Sequence, residues 1–551
     1  MLTPETAPVP AEPETTSQPA RRDSQRSIAG AATILSAGNL SSRVVGLFRE
    51  VAKSYFFGNG RIASAFELAA NPPSQFYDLL IGGMLSSALV PTFSNLLADE
   101  TDQSRMVEFG KLLGALIGLA TVGLTALVVA LSLFSEGLAV VLAGGPQQDL
   151  ALVASLLRIT IPTIIFLNLG GILTAALYSQ HKFIYTAFTA TVYNLTMILS
   201  VVLFEHRLSV TALAIGMLAG SIVQVLIQIP GMRGIPIKLS LNWRHPGIKQ
   251  ILRLFLPVAF GLALAQLAAL VSFIIAGHIG AEGPATMRYA AQVVQFPLGM
   301  IVVAVSAAIL PALSRHGHDA ALGAFKSTLA QGMRLVWVLI VPASIGLFVL
   351  AQPVVALLFQ RGAFTAESTA YTAAALRAAV PGLIFAAVDQ PLIYAFYARH
   401  DTFRPTLIGL VSTVSYLVLL GTLSLLAQSG LRTFTLTDLI MANSMKTGLD
   451  AFLMAIFLTR KVGGLRGYGI SAVTYKVFTA AVLMGATVWL VMGVSQYYLG
   501  DSQFAANALT TVAAAAIGIL VYLQTARLLR VREISLLRGL LRRQVDMEPL
   551  A

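Results

Sequence analysis

Four charges crowd the first apolar stretch of the chain. SAGNLSSRVVGLFREVAKSYFFG places Arg43, Arg49, Glu50 and Lys53 inside a segment otherwise suited to crossing a bilayer. Each such charge costs about 2.5–3.5 kcal/mol at the bilayer centre on insertion scales, so none of the four is expected to face lipid. At helical spacing Asn39, Arg43, Gly46 and Glu50 share one stripe, and Ser42, Arg49 and Lys53 share another about 100° away. Together they make a wide polar face that needs a water-filled cavity or partner charges. The second apolar segment offers partners: Glu67, Asn71, Ser74 and Asp78 lie on one helical face, with Pro72 and Pro73 expected to break the helix between them. Gly82 and Gly83 add a second flexible point. The eighth segment repeats the theme with Arg288, Gln292 and Gln295, followed by Pro297 and Gly299. These groups meet only if spans one, two and eight line one crevice. A plainer reading has Arg43 or Arg49 pairing with Glu67 or Asp78 simply to lock helices together.

Other polar residues in apolar surroundings give weaker signals. Asp389, and Asn443, Lys446 and Asp450, could hold a coupling cation through oxygen ligands or could serve interhelical hydrogen bonds. The seven histidines form no ligand-like set; His181 and His400 hold equivalent loop positions, and His316 and His318 share another loop. The chain carries no GxxxxGK[ST] loop, no GxSxG elbow and no HExxH. An enzyme, a cofactor protein or a machine driven by its own ATP hydrolysis is therefore not expected.

The elements that must position these groups are membrane helices. Of 551 residues 56% are hydrophobic and 11% charged, too little polar surface to cover a soluble globule of this size. There is no cysteine, hence no disulfide framework or thiolate metal site. The net charge of +12 sits in short segments between apolar runs, where anionic lipid headgroups are a simpler partner than nucleic acid. Residues 1–25, rich in Pro, Thr, Glu and Gln, read as a disordered cytoplasmic tail. About fourteen stretches after it reach the roughly 20 residues a spanning helix needs. Basic residues such as Arg233, Lys238, Arg244, Lys249, Arg315, Lys326, Arg399, Arg404, Arg460 and Lys461 fall in alternate loops, which puts those loops and both termini in the cytoplasm.

The chain also repeats itself at a separation of about 219 residues. ALYSQHKFIYTA around Tyr178 matches AFYARHDTFRPT around Tyr397, LVPTFSNLLAD around Pro91 matches ILPALSRHGHD around Pro311, and LLRITIPTIIF matches ALRAAVPGLIF. Two homologous membrane lobes follow, with function expected where they face each other. The expected division is a tail at 1–25, an N-lobe of six spans at 26–232, a C-lobe of six spans at 233–462, two accessory spans at 463–530 and a basic tail at 531–551.

SSRVVGLFREV with the following FFG, SSALVPTFS, QFPLGM, LLFQRGAFTAEST and above all FYARHDTFRP resemble the MurJ (MviN) family, the lipid II flippases of bacterial peptidoglycan synthesis within the multidrug and oligosaccharidyl-lipid exporter superfamily. The resemblance implies an all-α polytopic protein of two pseudo-symmetric six-helix lobes in a V plus two C-terminal helices, in the bacterial cytoplasmic membrane. It implies alternating access that carries a polyprenyl-pyrophosphate-linked peptidoglycan precursor outward, by a monomer or a member of the cell-wall synthesis machinery. By position, Arg43 and Arg49 match the family's basic residues in span one and Glu50 its acidic neighbour, a cationic setting suited to a pyrophosphate. The chain departs from the family in span two, where Tyr77 and Asp78 stand in place of an arginine, and in span eight, which reads Ala291, Gln292 and Gln295. Arg288, one turn before Gln292, is placed to supply the missing cation. The substrate-binding set expected is Arg43, Arg49, Glu50, Lys53, Asn71, Asp78, Arg288, Gln292 and Gln295. The alternatives are a related polysaccharide-lipid or multidrug exporter, and a non-transporting scaffold for cell-wall assembly.

Overall fold

The computed structural model describes residues 18–82, 84–97, 103–143, 145–146, 148–315, 322–499 and 504–534. Gly83, His316, His318, residues 1–17 of the expected tail and residues 535–551 lie outside them. Every described element is helical. In chain order they are α1 (Gln18–Phe57), α2 (Arg61–Leu96), α3 (Gln103–Leu133), α4 (Ser135–Ala143), α5 (Leu150–Ser179), α6 (Ile184–Leu208), α7 (Thr211–Met232) and α8 (Pro246–Ile279). Next comes α9, built of Gly283–Pro297, a π-helical turn Leu298–Val302 and Val303–Arg315. Then follow α10 (Leu322–Val349), α11 (Ala351–Phe359), α12 (Ala366–Ala398), α13 (Phe403–Gln428), α14 (Leu436–Val462), α15 (Ile470–Leu499) and α16 (Phe504–Leu528). Helix α1 begins at Gln18, so residues 18–25 belong to it and not to an unstructured tail.

Among the described residues eleven helices are long and apolar enough to cross a membrane. Helices α1, α9 and α14 are of spanning length but stand outside that set, α1 and α14 carrying several charges. The chain is a multi-pass membrane protein, and large apolar side chains such as Phe260, Leu256 and Trp489 point outward where lipid would lie.

The duplication is visible in the backbone. His181 and His400 both take left-handed conformations, at φ 59° and 55°. The following amides, Lys182 N and Asp401 N, each donate 3.0 Å back to the carbonyls of Leu177 and Phe396. Short helices α4 and α11 occupy matching places, as do the π-helical turns Asp78–Gly82 and Leu298–Val302. Apolar clusters fill both lobes and reach between them, Ile248, Ile251 and Phe255 of α8 packing with α2, α3 and α5 and Ala63 of α2 joining the C-lobe core, and another cluster joins α15 and α16 to α10.

The expected break at Pro72 and Pro73 does not occur: α2 runs through both prolines and widens into π turns at Asp78–Gly82 and Leu85–Leu89. A proline cannot bond the carbonyl four residues back, and at membrane depth that carbonyl needs another donor. For Pro73 that carbonyl is Ala69 O, and the Thr160 hydroxyl of α5 donates to it at 2.8 Å. The same device serves Pro342 of α10, whose freed Val338 carbonyl accepts from the Tyr522 hydroxyl of α16 at 2.7 Å.

The lobes meet at the end that carries the α1–α2, α8–α9 and α11–α12 turns. There the Asn59 amide donates to Thr286 Oγ1 at 3.1 Å, and Ser368 Oγ donates to Asn59 Oδ1 at 2.7 Å. Ala363 N donates to the Tyr55 carbonyl at 2.8 Å, and Tyr289 Oη to the Gly58 carbonyl at 2.8 Å. Gly58 and Gly362 make this closure possible. Both have positive φ, and a Cβ at Gly362 would stand 2.2 Å from the Tyr55 carbonyl oxygen.

Candidate functional site

Helix α1 is held against α6 by small residues. A Cβ on Gly38 would fall 2.1 Å from Ala187 O, and the hydroxyls of Ser41 and Thr191 lie 2.6 Å apart. This close approach sets the charged stretch of α1 beside α6 at the crevice between lobes. There Arg49 donates through Nη1 to Asn194 Oδ1 at 2.8 Å and through Nη2 to Glu50 Oε1 at 2.5 Å. Lys53 bridges Glu50 and Glu67, and its ammonium lies 4.5 Å from the centre of the Tyr289 ring. Arg288 of α9 completes the cluster, with Nε 3.6 Å from Glu50 Oε1 and 3.9 Å from Glu67 Oε2.

Three cations therefore face two carboxylates in a space where an uncompensated charge would be costly. They are not equally available to a ligand. The Lys53 side chain is 2% exposed with carboxylates on both sides, which makes it a strut, whereas the Arg288 side chain is 40% exposed. Arg43 reaches across the crevice, Nη1 donating to the Gln295 carbonyl at 3.1 Å. Gly299 leaves room for it, since a Cβ there would overlap the guanidinium at 1.9 Å.

A cavity of about 140 Å³ opens on this cluster, lined by Arg49, Glu50, Lys53, Asn71, Asp78 and Arg288 among others. Six of the nine expected residues thus share one wall-to-wall space. A second cavity of about 370 Å³, inside the C-lobe, takes Gln295, Asn443 and, again, Arg288. Gln292 approaches Gly46 and Asn194 at the α1–α6 contact, where a Cβ on Gly46 would lie 3.7 Å from its amide nitrogen. Among the departures from the family pattern, Ala291 lines the larger cavity and Asp78 the smaller one beside Arg288, so Arg288 is the cation that span eight presents to both.

Asn194 and Tyr289 were not among the expected site residues. Asn194 stands alone in an apolar helix, and an unexplained amide at that depth was the signal available. The cation candidates Asp389, Asn443 and Asp450 are spread out: Asn443 lines the larger cavity, while Asp450 accepts from Ser412 at 3.2 Å and Asp389 is buried. Among the described residues no group of three or more His, Cys, Asp or Glu side chains could hold a metal ion.

Two packed helical lobes, a charged cleft between them and hydrogen bonds closing one end define a membrane transporter of alternating-access architecture. A family model described as "Lipid II flippase MurJ" matches residues 53–510. The chain is 32% identical over 473 residues to a "Probable lipid II flippase MurJ" of Haemophilus influenzae, covering 82% of this chain and 90% of that one. It is 31% identical to another of that description from Vibrio cholerae, covering 91% and 95%. The chain belongs to the MurJ family of lipid II flippases. Its fold superposes on a solved lipid II flippase MurJ in an inward closed conformation with a TM-score of 0.74, at 21% identity over 90% of this chain and 98% of that one. It also matches an inward-facing multidrug MATE-family transporter of the MOP superfamily, with a TM-score of 0.65 at 12% identity over 78% and 98%. At such identities these likenesses speak for the fold.

Proposed function

We propose that this chain carries lipid II from the cytoplasmic to the outer face of a bacterial cytoplasmic membrane by alternating access. Both termini lie in the cytoplasm, as the basic loops indicate, and anionic lipid headgroups neutralise those loops. The headgroup enters between the lobes, and its diphosphate displaces the internal carboxylates from Arg49 and Arg288 and the Gln295 carbonyl from Arg43, the three cations with exposed surface. Arginine suits this exchange because its planar fork pairs two phosphate oxygens at once. Lys53 keeps Glu50 and Glu67 in place meanwhile, so the site does not collapse when the arginines turn to the ligand. Asn71, Asp78, Gln292 and Gln295 border the path as hydrogen-bonding groups.

The observation that carries this reading is the shared cavity on Arg49, Glu50, Lys53, Glu67 and Arg288 at the contact of the two lobes. The test is complementation. The full chain should rescue a bacterium depleted of its lipid II flippase, and Arg49→Ala should not, although it inserts in the membrane at the normal level. Rescue by Arg49→Ala would remove that arginine from the path, and failure of the unaltered, membrane-inserted chain would point to another cargo.

A further inference from the structure

One ionisable side chain has no role in the cluster. Asp389 is 7% exposed in the middle of α12, between Pro381 and Pro391. Its buried Oδ1 receives no hydrogen bond. Helix α14 packs along α12 in parallel register: Ser444 Oγ donates to the Ala378 carbonyl at 2.9 Å, and Gly448 abuts Phe385. One turn further along, Asp389 reaches the level of Asp450.

The remaining titratable groups nearby do not neutralise it. Lys446 of α14 sits one turn before Asp450, within reach of its charge and 5.9 Å from the Tyr416 ring of α13. Tyr394 and Tyr397 are on the same helix as Asp389. Arg334 of α10 is committed to Glu533 at 2.8 Å and to the Tyr468 carbonyl. Lys446 lies on α14 with no ion pair to Asp389, which is left, among the described residues, as one carboxyl without a cation or a donor. A carboxyl in that position is stable when it carries a proton or binds a cation. A divalent cation such as Ca²⁺ or Mg²⁺ needs six or more oxygen ligands, whereas a proton needs one.

We propose that Asp389 is a proton-binding site of the C-lobe, protonated in the conformation described here and deprotonated when α12 moves away from α14 and water reaches it. The device is a hinge with a charge in it. The prolines on either side let α12 bend at this level, and a negative charge between Asp450 and the helix drives the two carboxyls apart. The inference goes beyond the cargo and does not depend on it.

The test needs no lipid II. Infrared difference spectra of the full chain in lipid vesicles, recorded as pH is raised, should show a protonated-carboxyl band that titrates. Asp389→Asn should lose that band, and Asp389→Glu should keep one, which also shows that the position tolerates substitution. Because the chain lacks cysteine, spin labels at Gln103→Cys and Thr402→Cys can report the separation of the lobes. The separation should change with pH in the parent chain and lose that response in Asp389→Asn. A titrating band that survives Asp389→Asn, no such band in the parent chain, or an unaltered pH response of the separation would each overturn the proposal.

Discussion

The two lobes contain the same cavity twice, with opposite chemistry. In the N-lobe it is lined by Arg49, Lys53, Glu67, Asn71, Ser74 and Asp78. The residues 220 positions later are Ala269, Phe273, Met287, Ala291, Val294 and Leu298, and all of them line the larger C-lobe cavity. Duplication has kept the backbone, down to the π-helical turn in each copy and the left-handed histidine at the end of α5 and of α12. It has not kept the charges. Packing constrains a helix through its shape, which either set of side chains satisfies, whereas the electrostatics of a cavity follow from a handful of side chains. One cavity is thereby lined with charges, and the other is left apolar apart from hydroxyls, amides and the shared Arg288.

The largest effect on this contrast should come from Glu50→Ala. Glu50 is 1% exposed and faces Arg49, Lys53 and Arg288, so its removal leaves buried cations with one carboxylate among them. A loss of about 3–5 kcal/mol is expected, visible as a large fall in melting temperature in detergent. Leu270→Ala, at the equivalent position in the C-lobe, removes only apolar packing and should cost less.

Next in size is the closure between lobes. Gly362→Ala places a Cβ against the Tyr55 carbonyl at a positive φ and should weaken the closed end by about 1–3 kcal/mol. A cysteine at Ser64 should then react faster with maleimide. Asn59→Ala removes the hydrogen bonds to Thr286 and Ser368 and should cost about 1–2 kcal/mol, with the same gain in access measured by a cysteine at Ser64.

The smallest effect concerns a turn that the two lobes close differently. In the N-lobe Lys182 donates to the Gly231 carbonyl at 2.8 Å, and in the C-lobe Asp401 occupies the equivalent place and accepts from Lys461 at 2.6 Å. Partial burial acts to raise the Asp401 carboxyl, but hydrogen bonds from Lys461 and the Arg404 backbone outweigh it and hold the group below the usual carboxylate range. A depressed folded value means that its contribution is complete above the unfolded value of about 4 and is lost as pH falls through the folded one. Lys461→Ala should therefore cost about 0.5–1 kcal/mol at neutral pH, and the difference should vanish in acid when melting is followed against pH.

Much of this was legible in the chain itself. The repeat, the apolar runs and the charges of α1 are local patterns, and charges that cannot face lipid must face each other. What escaped was long-range. Nothing near Pro72 and Pro73 announces that Thr160, on another helix, takes the carbonyl a proline frees, so a break was expected where the helix continues. Lys53 was counted among ligand-binding residues on its charge, but its enclosure by Glu50 and Glu67 depends on how α1 meets α2. Asn194 drew no attention because a single amide becomes informative only when the arginine opposite it is seen.

The most direct test of the central claim writes the C-lobe lining into the N-lobe. Arg49→Ala, Glu50→Leu, Lys53→Phe and Glu67→Met together replace the cluster by the residues found 220 positions later. Arg288, the one charge of the cluster that remains, is 40% exposed and has Asp78 beside it; exchanging the rest of a buried ion network for apolar side chains is commonly neutral for stability, so the protein should remain folded. In vesicles supplied with lipid II, the parent chain should translocate it and the fourfold variant should not exceed protein-free vesicles. A folded variant that moves lipid II at the parental rate would contradict the account.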